Sequence, residues 1–160
     1  MGLTAMPLES LGYPHFSLRD DSALRRDMGT AMYDCGVQIS LGEGFLVVPG
    51  ADCRAYAADL DLMRELGAPR INTLGLDPDR DRTFDQFAIL TELAAERGMQ
   101  TTLEMMPGSV VGDLDTALAA VRHVGRRTSG CSSTPCILGI PARVRRHPGL
   151  DPGGRSVTYS

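Results

Sequence analysis

The stretch Leu93-Ala94-Ala95-Glu96-Arg97-Gly98-Met99-Gln100-Thr101-Thr102-Leu103-Glu104 holds three structural signals in twelve positions. Its first half continues a helical pattern with Phe87, Leu90 and Ala94 on one face. Gly98 is the residue type that ends helices by adopting a left-handed conformation. Thr101 to Glu104 then reads as a short strand with a carboxylate at its C-terminal end. The same punctuation occurs twice before it. Gly36, Gly67 and Gly98 are 31 residues apart, about the length of one strand plus one crossover helix.

Working outward, Gly2 to Met6 is a first, weak strand, and Pro7 to Arg19 is a loop. Asp20 or Asp21 caps a helix whose apolar positions Leu24, Met28, Ala31, Met32 and Cys35 follow the helical period. Val37 to Leu41 is expected to be the second strand, and Gly42 to Gly50 a loop. A helix from about Asp52 to Leu66 follows, then a strand from Arg70 to Leu74 and a charged loop from Asp77 to Arg82. Thr83 is the expected cap of the third helix. A last helix from Asp113 to Val124 is expected to bury Leu114, Ala117, Leu118 and Val121, with Gly125 closing it.

Strands that alternate with helices imply a parallel sheet with right-handed crossovers. The strands of a doubly wound sheet read as dense Val/Ile runs. Here they are short and partly polar, with Gln38, Ser40, Asn72, Thr73, Thr101 and Thr102. The expected fold is therefore α/β, a partial (β/α)8 TIM barrel of about four β/α units. A whole barrel takes about 250 residues, and this chain has 160. No Gly-x-Gly-x-x-Gly follows the first strand, and a phosphate-loop lysine is impossible because all sixteen basic residues are arginine.

Charge divides the chain. Residues 1–125 carry a balance of −9 and residues 126–160 a balance of +5. An acidic body argues against nucleic-acid binding. No apolar run approaches the roughly 20 residues of a membrane span, and no signal peptide is evident, so a cytoplasmic protein is expected. Cys131 and Cys136 flank four residues, where a zinc pair usually has tighter spacing and a second pair or histidines nearby, and Cys35 and Cys53 fall on helical patterns.

Three side chains are candidates for chemistry. Glu104, at the end of a parallel strand, stands where barrel enzymes keep their reacting groups. It reads as a hard-cation ligand, a general base or a solvated carboxylate. Glu43, between Gly42 and Gly44, reads as a substrate contact or an ordinary loop residue. His15, in Gly12-Tyr13-Pro14-His15-Phe16, reads as a sugar or phosphate contact or as loop packing. His123 near the end of the last helix reads as structural.

The strings Gly36-Val37-Gln38-Ile39-Ser40, Leu66-Gly67-Ala68-Pro69-Arg70-Ile71-Asn72 and Leu93 to Glu104 resemble the sugar phosphate isomerase/epimerase family, the xylose-isomerase-like TIM barrels. The resemblance covers residues 1 to about 125. It implies a divalent metal (manganese, magnesium or zinc), with Glu104 as its first ligand. It implies a small, sugar-like substrate, proton-transfer chemistry on a hydroxy-carbonyl group, and Glu43 and His15 as substrate contacts. A dehydratase of the same barrel group is the neighbouring alternative. A non-catalytic fragment or interaction module, self-associating through open sheet edges, is the alternative from another class. On this alignment Gly2 to Met6 matches the family's second strand, and the remaining metal ligands have no counterpart in residues 126–160.

After the last helix the family continues with a strand of the type Phe-Gly-Val-Leu-Val-Asp-Thr-Leu-His. This chain has Arg127-Thr128-Ser129-Gly130-Cys131 and a Ser-, Pro- and Arg-rich continuation instead. Codons compatible with that stretch spell the family strand one frame over. Residues 126–160 are therefore expected to be a frame-shifted tail rather than barrel sequence; the alternative is a genuine flexible basic tail. The coding DNA through Arg126 decides between them.

Overall fold

The computed structural model describes Gly2–Thr4 and residues 18–127. Four strands alternate with four helices: β1 (Gly2–Thr4), α1 (Ser22–Asp34), β2 (Leu41–Val47), α2 (Ala57–Glu65, after a 3-10 turn at Cys53–Tyr56), β3 (Arg70–Gly75), α3 (Arg80–Glu96), β4 (Gln100–Leu103) and α4 (Leu114–Arg127). The strands form one sheet in the order β1-β2-β3-β4, and every pair is parallel. Parallel neighbours in chain order, joined by right-handed crossovers, keep their helices on one side of the sheet. This is the topology of a barrel arc, without the reversal of strand order that marks a doubly wound sheet.

The 31-residue repeat has one physical cause. Gly36, Gly67 and Gly98 have φ of 63°, 80° and 71°, the left-handed region that glycine enters without a steric penalty. Each closes its helix with the same pair of backbone bonds. The glycine N–H donates to the carbonyl three residues back (Tyr33, Arg64, Ala95), and the next N–H reaches five back (Met32, Met63, Ala94). That is a Schellman-type end, and it turns the chain into the following segment.

Helix starts are set by aspartates. Asp21 accepts from the N–H groups of Ala23 and Leu24, and Asp79 from that of Arg82. Asp79, not Thr83, thus caps α3; Thr83 lies buried in the first turn and donates to the Asp77 carbonyl at 3.1 Å. Gly125 does not end α4, which continues to Arg127.

The larger correction concerns β2. Residues 37–40 are not part of a strand, although Ile39 is buried, and the strand is Leu41–Val47. The expected loop residues 42–47 are therefore strand. Two glycines and a glutamate disguised it. Between the pairs Gly42↔Ile71 and Phe45↔Thr73, β2 uses one residue more than β3. This is a bulge, and Gly44 supplies it with φ 90°. Thr73 repairs the interrupted ladder by donating its hydroxyl to the Phe45 carbonyl at 3.0 Å.

The core lies between sheet and helices. Phe45, Val47, Ile71 and Leu103 from the strands meet Leu60, Met63, Phe87, Leu90, Ala120 and Val124 from the helices. Cys53 is buried beside them, and burial, then Asp52, pushes its thiol up to about 11. On α4 the buried face is a different one from that expected: Ala120 and Val124 are buried, Ala117 and Val121 only flank the core, and Leu114 and Leu118 are 52% and 38% exposed. α1 buries no residue fully; Met28 and Met32 only flank the core. No helix among the described residues is long and apolar enough to cross a membrane.

Candidate functional site

Side chains alternate across a strand, so the residues between the core positions point to the sheet's other face. In β3 and β4 these are Asn72, Leu74 and Thr102, with Glu104 just beyond β4. Register places Asn72 beside Thr102. Glu104 is held to the end of β3 by its backbone N–H, which donates to the Thr73 carbonyl at 2.9 Å.

A polar chain results. Asn72 Nδ2 donates to Glu104 Oε2 at 2.9 Å. The Thr102 hydroxyl lies 2.9 Å from the Ile71 carbonyl oxygen and 3.0 Å from Asn72 Oδ1, its single proton shared between two acceptors. The chemistry of the partners fixes the amide orientation. An ionised carboxylate only accepts, so the NH2 group faces Glu104 and the amide oxygen faces Thr102. Glu104 is exposed, and its carboxylate has further acceptor capacity beyond the Asn72 bond.

Glu43 belongs to the same face. A Cβ on the preceding Gly42 would collide with Met63 Sδ at 2.8 Å, so Gly42 faces the helices and Glu43 faces away from them. It stands in strand β2, at the bulge, and not in a loop as expected. The structure thus brings Glu43 and Glu104 to one side of the sheet, on strands separated by β3. His15 lies outside the described residues, as do Cys131, Cys136 and residues 128–160. His123 is structural: its Nε2 is 2.8 Å from Asp85 Oδ1, and its ring is 5.8 Å from that of Phe84.

Asn72 and Thr102 were not singled out as site residues. Their signal was available as polar residues at the alternate positions of strands ending beside Glu104, but Thr73 and Thr101 share that polarity and face the opposite way. Asp77, a buried carboxylate after β3, is a structural group. Arg82 Nη2 donates to it at 2.6 Å, and this pairing, with an N–H from Asp79, holds its carboxyl below the usual range.

The residues described do not fit a divalent metal. No three of His, Cys, Asp and Glu come together among them. Glu104 is accompanied by a neutral amide and a hydroxyl, and not by the further carboxylates or carbonyls that complete an all-protein calcium site.

No protein-family model matches this sequence, and no curated protein does. Solved structures do match. One is described as a xylose isomerase-like TIM barrel/4-hydroxyphenylpyruvate dioxygenase fusion protein: 20% identity, TM-score 0.56, over 77% of this chain and 20% of that one. Another is a xylose isomerase-like TIM barrel protein from Mycobacterium smegmatis in complex with magnesium: 23% identity, TM-score 0.55, over 73% of this chain and 50% of that one. The chain thus spans half the length of the second protein and a fifth of the first. The fold is that of half a xylose isomerase-like TIM barrel.

Proposed function

We propose that this chain contributes the sugar-facing half of an isomerase/epimerase-type site, with Glu104 as its proton-handling group. The supporting observation is the hydrogen-bonded run Thr102–Asn72–Glu104 on the helix-free face, at the C-terminal end of the strands. Carboxylate, amide and hydroxyl in a row match the vicinal hydroxyls of a sugar or hydroxy-carbonyl compound. Glu104 would take the proton from the carbon beside the carbonyl, leaving an enediolate, and return it to the former carbonyl carbon while the hydroxyl proton passes between the two substrate oxygens, so that the carbonyl moves by one carbon. Asn72 would hold the carboxylate in line for both steps. The same proton abstraction would begin a dehydration, which makes a dehydratase the neighbouring reading. The metal expected from the family resemblance has no adequate ligand set in the described residues, and no step here depends on it.

Titration of isotope-labelled protein with a ketose such as fructose tests the reading. Chemical-shift changes should centre on the Asn72 side-chain amide and the Glu104 backbone, and should vanish in Glu104→Gln. Changes that persist unaltered in that variant, or none at all, would sink it. A second reading, a half-barrel whose open face serves assembly alone, is favoured by the lack, among the described residues, of a second ionisable group bonded to Glu104.

A further inference from the structure

The bulge in β2 has a direction. Phe45 and Val47 face the core, and regular alternation would carry Glu43 to the same side. The extra residue between Gly42 and Phe45 reverses this. Gly42 lies buried against Met63, and Glu43 is exposed on the helix-free face. The reversal costs local order: Gly44 takes φ 90°, and the Thr73 hydroxyl stands in for the interrupted ladder at the Phe45 carbonyl. Bulges re-aim side chains in this way beside active sites, and here the side chain is a carboxylate.

Register says where that carboxylate stands. Glu43 falls between the pairs Gly42↔Ile71 and Phe45↔Thr73, at the level of Asn72, and Asn72 pairs with Thr102. Three neighbouring strands therefore carry a polar side chain in one layer. One layer toward the C-terminal ends stand Leu46 and Leu74, which pair with each other, and Glu104, which follows Leu103, the partner of Thr73. Glu104 reaches back from that layer to the polar one, with Oε2 at 2.9 Å from Asn72 Nδ2. Neighbouring strands are about 4.8 Å apart, so a small molecule resting on Asn72 has Glu104 on one side and Glu43 on the other.

We infer that Glu43 is the second proton carrier of this site, serving the substrate oxygens while Glu104 serves the carbons. The inference rests on the reading of Glu104 as the base. Once Glu104 holds the carbon-bound proton, the enediolate has its one hydroxyl proton on the oxygen that must become the new carbonyl. The ionised Glu43 takes that proton as the O–H bond breaks and delivers it to the former carbonyl oxygen. Glu104 then gives its own proton to the former carbonyl carbon, and the new C=O bond forms. Both carboxylates end ionised, as they began, and no oxidant or further reactant is consumed. The bulge is thus what supplies the second carboxylate: without the extra residue, Glu43 belongs to the core side of β2.

Incubation with fructose in deuterium oxide separates the two carriers. Glu104 alone can exchange the C1 hydrogen of recovered fructose for deuterium, because removal and return at one carbon need no transfer between oxygens. Formation of the aldose needs both groups. Glu43→Gln should therefore lower aldose formation by about 10²- to 10⁴-fold while deuterium exchange persists. Glu43→Asp, which keeps the acid, should recover part of the loss, and Glu104→Gln should lose both reactions. Glu43 is exposed and glutamine has its shape, so the circular dichroism spectrum of Glu43→Gln should match that of the native chain. A Glu43→Gln protein that forms aldose at the native rate overturns the inference and leaves Glu104 in place. So does one in which exchange and aldose formation fall together, and so does a native chain that exchanges without forming aldose. A native chain that does neither overturns the reading of Glu104, and this inference with it.

Discussion

The two faces of this sheet are built from neighbouring residues and behave as different materials. Toward the helices, Phe45, Val47, Ile71 and Leu103 lie in a packed core. Away from them, Asn72, Thr102 and Glu104 form a hydrogen-bonded polar run that reaches solvent. The backbone geometry is common to both faces; only the alternation of side chains separates them. One face therefore sets stability and the other is free to hold a ligand. Substitutions should sort by face, whatever their chemical size.

The largest effect belongs to the covered face. Phe87 is 2% exposed and stands against Phe84 with ring centroids 6.5 Å apart. Phe87→Ala should cost about 3–5 kcal/mol in equilibrium denaturation, since a buried ring is removed and its cavity only partly collapses. A cost below about 1 kcal/mol would mean that the helix layer is not packed on the sheet as described.

An electrostatic link at the top of the covered face comes next. The Asp77 carboxyl is held below its ordinary value by Arg82 and by a backbone N–H. A carboxyl depressed in the folded state stabilises the fold above its unfolded value, about 3.9 for aspartate. That contribution is lost as pH falls through the folded value. The melting temperature should therefore drop more steeply below about pH 4 in the native protein than in Asp77→Asn, which should already melt lower at pH 7. Identical acid profiles for the two would remove Asp77 from the account.

The same alternation explains what could be read in advance. The glycine period was visible because each helix ends by the same left-handed device, so Gly36, Gly67 and Gly98 mark three boundaries without tertiary information. Glu104 was visible for a related reason: it directly follows such a unit. β2 was not visible. Its ladder contains Gly42, Glu43 and Gly44, residues with poor strand propensity, and the bulge that tolerates them exists only because β3 lies alongside. Nor could the apolar period of α4 say which leucines are covered. Leu114 and Leu118 fit the period as well as Ala117, yet none of the described elements covers them. Sequence periodicity specifies a face; it takes a second element to bury one.

The smallest and sharpest comparison uses two adjacent threonines. Thr101 and Thr102 are consecutive, chemically identical and on opposite faces of β4. Thr101 is buried beside Thr73, Thr91 and Phe87, and its hydroxyl has no hydrogen-bond partner. Replacing a buried, unpaired hydroxyl with a methyl group removes a desolvation penalty at constant shape, so Thr101→Val should raise stability by about 1 kcal/mol. Thr102 is the opposite case. Its hydroxyl is bonded to the Ile71 carbonyl and to Asn72. Thr102→Val should lower stability by about 0.5–1.5 kcal/mol and release the Asn72 amide that holds Glu104. Denaturant melts of the two variants read the sign directly. Opposite signs are expected from one substitution at adjacent positions, and matching signs would show that the two faces do not differ in the way the hydrogen bonds require.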